Sequence, residues 1–258
     1  MKLKNQRFFL WFNRIIFPFF YLRHQGKSKI IVDAGDGARF NVRVNTSDIL
    51  VVWEIWRAKI YDDPHFSIKE KDIVVDIGAH IGAFAVRAAK LARLGRVYAY
   101  EASGKNHSLL KHNTQLCNAN NITTYHKAVS DARGELKFYQ PGHNGALGSL
   151  MQDEDSPMEI VESVTLVDII NDNKLEHIDL LKIDVEGAEY NILLNCPADA
   201  LAKVRRVVLE YHEFVDDPRN YQVLVDVLKS HNFNVIVEPG IFPQKFLFGT
   251  GIIKAWRK

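Results

Sequence analysis

Two groups of residues in this chain have types and spacing suited to chemistry. The first is Asp76-Ile77-Gly78-Ala79-His80-Ile81-Gly82, in which an apolar run ends in a carboxylate and two glycines bracket the turn that follows. Glycine permits tight turns and lets backbone approach a ligand closely. Glu101 ends the next apolar run, where a carboxylate can accept two hydrogen bonds from ribose hydroxyls. The dinucleotide fingerprint G-x-G-x-x-G needs a middle glycine to admit a pyrophosphate. Here Ala79, His80 and Ile81 separate Gly78 from Gly82, so that glycine is missing. S-adenosylmethionine (SAM) has a ribose and an amino acid tail but no pyrophosphate, and the turn therefore points to SAM. Asp76 would suit the tail's ammonium, directly or through water. His80, next to the start of a helix, reads as a local hydrogen-bonding residue in preference to a catalytic one.

The second group lies near the ends of two later apolar runs. Asp184 closes Leu-Leu-Lys-Ile-Asp, with Glu186 and Glu189 just beyond, and Glu210-Tyr211-His212 closes Val-Val-Leu-Glu-Tyr-His. If those runs are neighbouring strands, Asp184, Glu210 and His212 converge. A hydroxyl is a weak nucleophile at neutral pH, so methyl transfer to oxygen calls for a general base, with Asp184 or His212 taking the proton. Alternatively, Asp184, Glu210 and His212 hold a divalent metal, Mg²⁺ or Mn²⁺, that lowers the pKa of the acceptor hydroxyl. Metal-free base catalysis is the preferred reading. Glu54, Tyr61, Ser149 and Glu186 are candidates for contacting the acceptor. Trp53 and Trp56 read as core residues in preference to a platform for a sugar face.

The elements that must position these residues alternate. Strands are expected at Ile73–Ile77, Val97–Tyr100, Ile122–Ala128, Ile178–Ile183 and Val204–Leu209, with helices at Ile81–Leu94, Lys105–Cys117, Ala188–Leu194 and Tyr221–Ser230. These strands are apolar throughout and lack period-2 alternation, as in a parallel sheet covered on both faces. The α/β fold expected is a Rossmann-like, doubly wound, mostly parallel sheet. It should end in a C-terminal antiparallel hairpin, because Phe233–Val237 and Ile252–Trp256 have no helix between them. Gly134–Tyr139 reads as an added strand and His143–Pro157 as a loop. Ahead of the alternation, Lys29–Val32 and Arg39–Val44 flank Asp-Ala-Gly-Asp-Gly as a hairpin, and Thr46-Ser47-Asp48 opens a helix over Ile49–Ile60. Three parts follow: an N-terminal segment (1–26), a cap of hairpin and helix (27–70) and a SAM-binding domain (71–258).

At 258 residues and a net charge of +2, the chain is long enough for one large domain and is no general nucleic-acid binder. Cys117 and Cys196 are too few for a disulfide framework and read as reduced thiols in a cytoplasmic protein. Residues 1–30 carry Lys2, Lys4, Arg7, Arg14, Arg23, Lys27 and Lys29 and no acidic residue. Phe8–Leu22 is apolar and aromatic but interrupted by Asn13, Arg14 and Pro18, and it falls short of the ~20 residues that span a bilayer. A peripheral helix at the inner face of a membrane and a helix packed on its own domain or in a homo-oligomer stand as equal readings.

Four stretches resemble the FkbM family of SAM-dependent methyltransferases, in the family's order: Ser47–Tyr61, Ile73–Ala89, Ala128–Tyr139 and Leu180–Leu193. The last of these, LLKIDVEGAEYNIL, is the most distinctive. The resemblance runs from about Ile30 to the C-terminus and leaves out the aromatic segment. It implies O-methylation of a sugar, a lipid-linked glycan or another small-molecule hydroxyl. It also implies that Asp76, Gly78, His80 and Gly82 surround the amino acid tail, that Glu101 binds ribose, and that Ser103 and the turn Ala128-Val129-Ser130 flank adenine. Ala102 departs from the family's proline, and Gly148 replaces a serine in its Ser-rich loop. An NAD-dependent oxidoreductase or epimerase is disfavoured by the missing glycine and the absence of a Tyr-x-x-x-Lys pair. A non-catalytic SAM-binding module is disfavoured by the intact acids Asp184 and Glu210.

Overall fold

The computed structural model describes residues 26–44, 46–139, 158–213, 219–239 and 249–257. The chain begins with an antiparallel hairpin, β1 (Lys29–Gly35) and β2 (Ala38–Arg43), turned by Asp36-Gly37. Both turn residues have positive φ, 51° and 70°, as a type I′ turn requires. Helix α1 (Asp48–Trp53) runs directly into a π-helical turn, Glu54–Ala58, which ends at Lys59 in the left-handed region. The single helix expected over Ile49–Ile60 is thus two kinds of helix. The wider turn begins at Glu54, and such turns are frequent at functional sites.

A seven-stranded sheet forms the body. In chain order its elements are β3 (Ile73–Ile77), α2 (Ala83–Leu91), β4 (Arg96–Glu101), α3 (Gly104–Leu116) and β5 (Ile122–His126). After a detour come β9 (Leu180–Ile183), α5 (Glu189–Leu194), α6 (Ala198–Ala202), β10 (Arg206–His212), α7 (Tyr221–Ser230), β11 (Asn234–Pro239) and β12 (Thr250–Trp256). The spatial order is β11-β12-β10-β9-β3-β4-β5. Strands β10, β9, β3, β4 and β5 are mutually parallel, while β12 runs antiparallel to both β10 and β11. The expected hairpin is present, with its last strand inserted between its first and the rest of the sheet.

The detour holds β6 (Ala128–Val129), β7 (Gly134–Tyr139), β8 (Met158–Val164) and α4 (Leu166–Asp172). Gly134–Tyr139 is a strand as expected, but it pairs with β8 in a separate three-stranded sheet, β6-β8-β7. Strand β8 and helices α4 and α6 have no counterpart in the sequence reading. Met158–Val164 alternates exposed and buried residues with acids among them, so it lacks the apolar run that marks the central strands.

Side chains alternate across the main sheet into two cores. Val75, Ile77, Leu181, Ile183, Val207 and Leu209 face α4, α5 and α7, whereas Val74, Val97, Ala99, Leu180 and Val208 face α2, α3 and the hairpin. Trp56 is part of the second core, edge-on to Phe40 at 5.7 Å and donating Nε1–H to Ala83 O at 3.1 Å. Among the described residues, Cys117 and Cys196 are free thiols, and no helix is long and apolar enough to cross a membrane.

Candidate active site

Strand β3 is where the chain order reverses. From it the chain passes to β4 and β5 on one side and returns to β9 on the other. Loops leaving the carboxyl ends of β3 and β9 therefore diverge, and ligands of open α/β sheets bind in the crevice between them. Gly78 and Ala79 each donate a backbone N–H to Tyr100 O at 3.0 Å. Gly78 has φ of +78°, and a Cβ built on it would lie 1.7 Å from Asp184 O, so only glycine fits. Gly82, with φ of +90°, closes the turn at the N-cap of α2.

A cavity of about 540 Å³ opens over these strand ends. On the β4–β5 side it is lined by Gly78, Ala79, His80, Glu101, Asn106 and the turn Ala128-Val129-Ser130. The Glu101 carboxylate accepts from His80 N at 2.7 Å, Ser103 N at 2.9 Å and Asn106 Nδ2 at 3.4 Å. An ionised carboxylate has about four lone-pair sites, so Glu101 is held rigidly and can still accept from a ribose hydroxyl. A glycine cradle beside an oriented carboxylate fits the adenosine and backbone-like tail of SAM.

On the β9–β10 side the lining includes Glu54, Tyr61, Lys182, Asp184, Glu186 and Glu210. Because β9 and β10 are parallel neighbours, Asp184 and Glu210 emerge side by side. Lys182 Nζ lies 3.1 Å from Asp76 Oδ1 and 3.5 Å from Asp184 Oδ2, and it donates to Gly78 O at 2.8 Å. Tyr61 OH donates to Asp184 Oδ2 at 3.5 Å. Burial, reinforced by the Asp184 charge, pushes the Glu54 and Glu210 carboxyls up to about 8. Burial and the surrounding acids, Asp184 first, hold the Tyr61 phenol well above its ordinary range, so it remains a hydrogen-bond donor.

The family described as the Methyltransferase FkbM domain matches residues 76–235, more than half of the chain. The chain belongs to the FkbM methyltransferase family. It is a SAM-dependent methyltransferase. The 31-O-demethyl-FK506 methyltransferase FkbM of Streptomyces tacrolimicus is 29% identical over 216 residues, covering 72% of this chain and 81% of that protein. The 2-O-methyltransferase NoeI of Sinorhizobium fredii is 24% identical over 181 residues, covering 63% of this chain and 73% of that one. The AMB antimetabolite synthetase AmbE of Pseudomonas aeruginosa is 28% identical over 251 residues; the match takes in 82% of this chain but only 12% of the synthetase. Among solved structures, the Methanococcus jannaschii fibrillarin pre-rRNA processing protein superposes with a TM-score of 0.50 at 14% identity, covering 90% of this chain and 86% of that one. That likeness concerns the fold.

In this FkbM-family methyltransferase several expected site residues lie elsewhere than the sequence suggests. Asp76 is fully buried beneath the turn, with Oδ1 3.1 Å from Lys182 Nζ, and lies outside the cavity lining. Gly82 and Ser103 shape the walls without lining them: Ser103 is buried and caps α3, accepting from Asn106 N at 3.4 Å. His80 has φ of 51° and sits 3.6 Å from the buried Asp48, which Arg43 also holds. Burial lowers the His80 pKa despite the nearby Asp48 charge, so His80 is a neutral wall residue. Ser149 lies outside the described residues.

His212 departs most from expectation. It is buried, absent from the cavity lining, and held at Nδ1 by Glu189 Oε1 at 3.2 Å and at Nε2 by Glu186 Oε2 at 3.5 Å. Burial alone would lower its pKa, but the Glu189 hydrogen bond and the charges of Glu189, Glu186 and Glu210 outweigh it and raise the ring to about 10. A ring that is already protonated cannot act as the base. The expected metal trio is altered as well. Among the described residues, the group whose ligand atoms lie within 4.8 Å of one another is Asp184, Glu186 and His212, with Glu210 outside it. Lys182 and Glu189 had no assigned role. A lysine inside the otherwise apolar Leu180–Ile183 run is the signal available for the first.

Proposed function

We propose that this methyltransferase transfers the methyl group to a hydroxyl of a sugar, a lipid-linked glycan or a related polyhydroxyl small molecule. The observation that carries this reading is the position of Asp184. Its backbone closes the glycine turn on the donor side, while its carboxylate faces the acceptor side of the same cavity. When bound, SAM supplies a methyl group on a sulfonium that is its own leaving group.

Asp184 accepts the hydroxyl proton as the new C–O bond forms. Lys182 and Tyr61 orient its carboxylate and temper its negative charge. Glu54 and Glu210, protonated below about 8, donate hydrogen bonds to neighbouring acceptor oxygens. A positioned base of this kind contributes roughly 10²–10⁴-fold to rate. His212, as an imidazolium, holds Glu186 at the cavity wall. Glu186 sits at φ of 53° with Gly187 at 104°, a backbone path pinned by Gly187 N donating to Glu189 Oε2 at 2.7 Å. The relatives NoeI, a 2-O-methyltransferase, and FkbM, a 31-O-demethyl-FK506 methyltransferase, both transfer methyl groups to oxygen and support the same chemistry.

The test is transfer of a labelled methyl group to a panel of monosaccharides, lipid-linked glycans and amines. Label in an alkali-stable ether on a glycan hydroxyl is expected. Label only on nitrogen would overturn the reading.

A further inference from the structure

A second concavity, of about 480 Å³, lies between the outer face of the β1–β2 hairpin and helix α3. Its lining includes Lys29, Asn41, Arg43, Lys105, Ser108 and His112, and no acidic side chain among the described residues. Lys29 and Arg43 are direct cross-strand partners. Like charges placed opposite each other destabilise a hairpin unless an anion lies between them. Asp48 offsets Arg43, locking its guanidinium through Nε at 2.9 Å and Nη2 at 2.7 Å. Lys29 and Lys105 have no ion-pair partner among the described residues and are exposed. Lys105, Ser108 and His112 recur at i, i+3 and i+7, so α3 presents them on one face.

Two further observations say what kind of anion the groove meets. Ile31 follows Lys29 on the same outward row of β1, pairs with Asn41 of the groove wall and is 59% exposed. An exposed aliphatic side chain beside cations suits contact with a membrane interface. The groove also lies where the N-terminal segment joins the domain. Residues 1–25 carry Lys2, Lys4, Arg7, Arg14 and Arg23 with aromatic residues between them, and the chain reaches β1 through Lys27 and Lys29. The acceptor side of the active site, at β9 and β10, is separated from α3 by β3 and β4, so the groove is not an extension of the acceptor site.

We propose that the Lys29–Arg43–Lys105 groove is a headgroup site that seats the phosphate of an anionic phospholipid and docks this face of the enzyme on a membrane surface. The two free lysines neutralise the phosphate beside Arg43, whose guanidinium is held by Asp48 and Asn106, while Ile31 enters the acyl boundary. The proposal does not depend on the identity of the methyl acceptor.

The full-length protein is sedimented with vesicles of phosphatidylglycerol and phosphatidylcholine, and with phosphatidylcholine alone, at two salt concentrations. Wild type is compared with Lys29→Glu/Lys105→Glu and with a charge-matched control on exposed lysines elsewhere, Lys203→Glu/Lys229→Glu. Wild type should bind only the anionic vesicles, more weakly at high salt. The groove variant should bind about tenfold more weakly at unchanged melting temperature, and the control should bind as wild type does. Equal binding by wild type and the groove variant would overturn the proposal, as would an equal loss in the control. Inorganic pyrophosphate or a single-stranded RNA is the final arm. Binding of either that the groove variant abolishes, without vesicle binding, would assign the site to a soluble phosphate or a nucleic acid and reject the lipid.

Discussion

Lys182 Nζ lies 3.1 Å from Asp76 Oδ1 across the parallel pair β3–β9, with the two residues in direct register. Both are almost wholly buried. The same ammonium reaches Gly78 O and the Asp184 carboxylate, so one cation ties the donor turn to the candidate base.

Breaking that pair from one side strands a buried charge. Lys182→Met should destabilise the fold by about 3–5 kcal/mol, read as a lower urea midpoint. The double variant Asp76→Asn/Lys182→Met should recover most of that loss, because no unpaired charge remains. A single variant within about 1 kcal/mol of wild type would show that the pair is not structurally coupled.

At Gly78 a methyl group would meet Asp184 O, and φ of +78° already disfavours any other residue. Gly78→Ala should cost at least about 2 kcal/mol and weaken S-adenosylhomocysteine binding in calorimetry by more than tenfold. Binding as tight as wild type would place the cofactor elsewhere.

Glu54 and Glu210 hold protons more tightly in the folded chain, to about 8, than their ordinary value of 4.5. In that interval the folded state binds more protons than the unfolded state, so stability falls as pH rises. Glu54→Gln and Glu210→Gln should each flatten the decline of melting temperature between about pH 5 and pH 8. An unaltered slope in both would mean that these carboxyls titrate normally.

His212 shifts in the same direction, over a higher pH window. Its folded value of about 10 lies above its ordinary 6.5. The stability it contributes is fully present below 6.5 and lost as pH rises through 10. Nuclear magnetic resonance of the ring carbons should report an imidazolium at pH 8. Glu189→Gln should move the titration down toward neutrality. A neutral ring at pH 8 in the unaltered protein would reopen the possibility that His212 is the base.

Asp184→Asn keeps the shape of the side chain and removes its basicity. Turnover should fall by at least about 100-fold while affinity for S-adenosylhomocysteine changes only severalfold. Undiminished turnover would reject Asp184 as the base.

The amino-acid sequence by itself determined the order of the strands of the main sheet, the glycine turn after β3, the acid that ends β4 and the acids at the ends of β9 and β10. Those features are local. An apolar run flanked by glycine or a carboxylate keeps its meaning wherever the sheet places it. Only the tertiary structure decided which acids face the cavity. Asp76 and Asp184 both end apolar strands, yet Asp76 points beneath the turn to Lys182 while Asp184 opens onto the cavity. His212 looked like a base from its position at the end of β10, but Glu189 on α5 holds it as a cation. Strand β8 escaped notice because its pairing with β6 and β7 supplies what its sequence lacks. The physical reason is the same in each case. Pairing and burial set the charge and direction of a side chain, and both depend on residues far away along the chain.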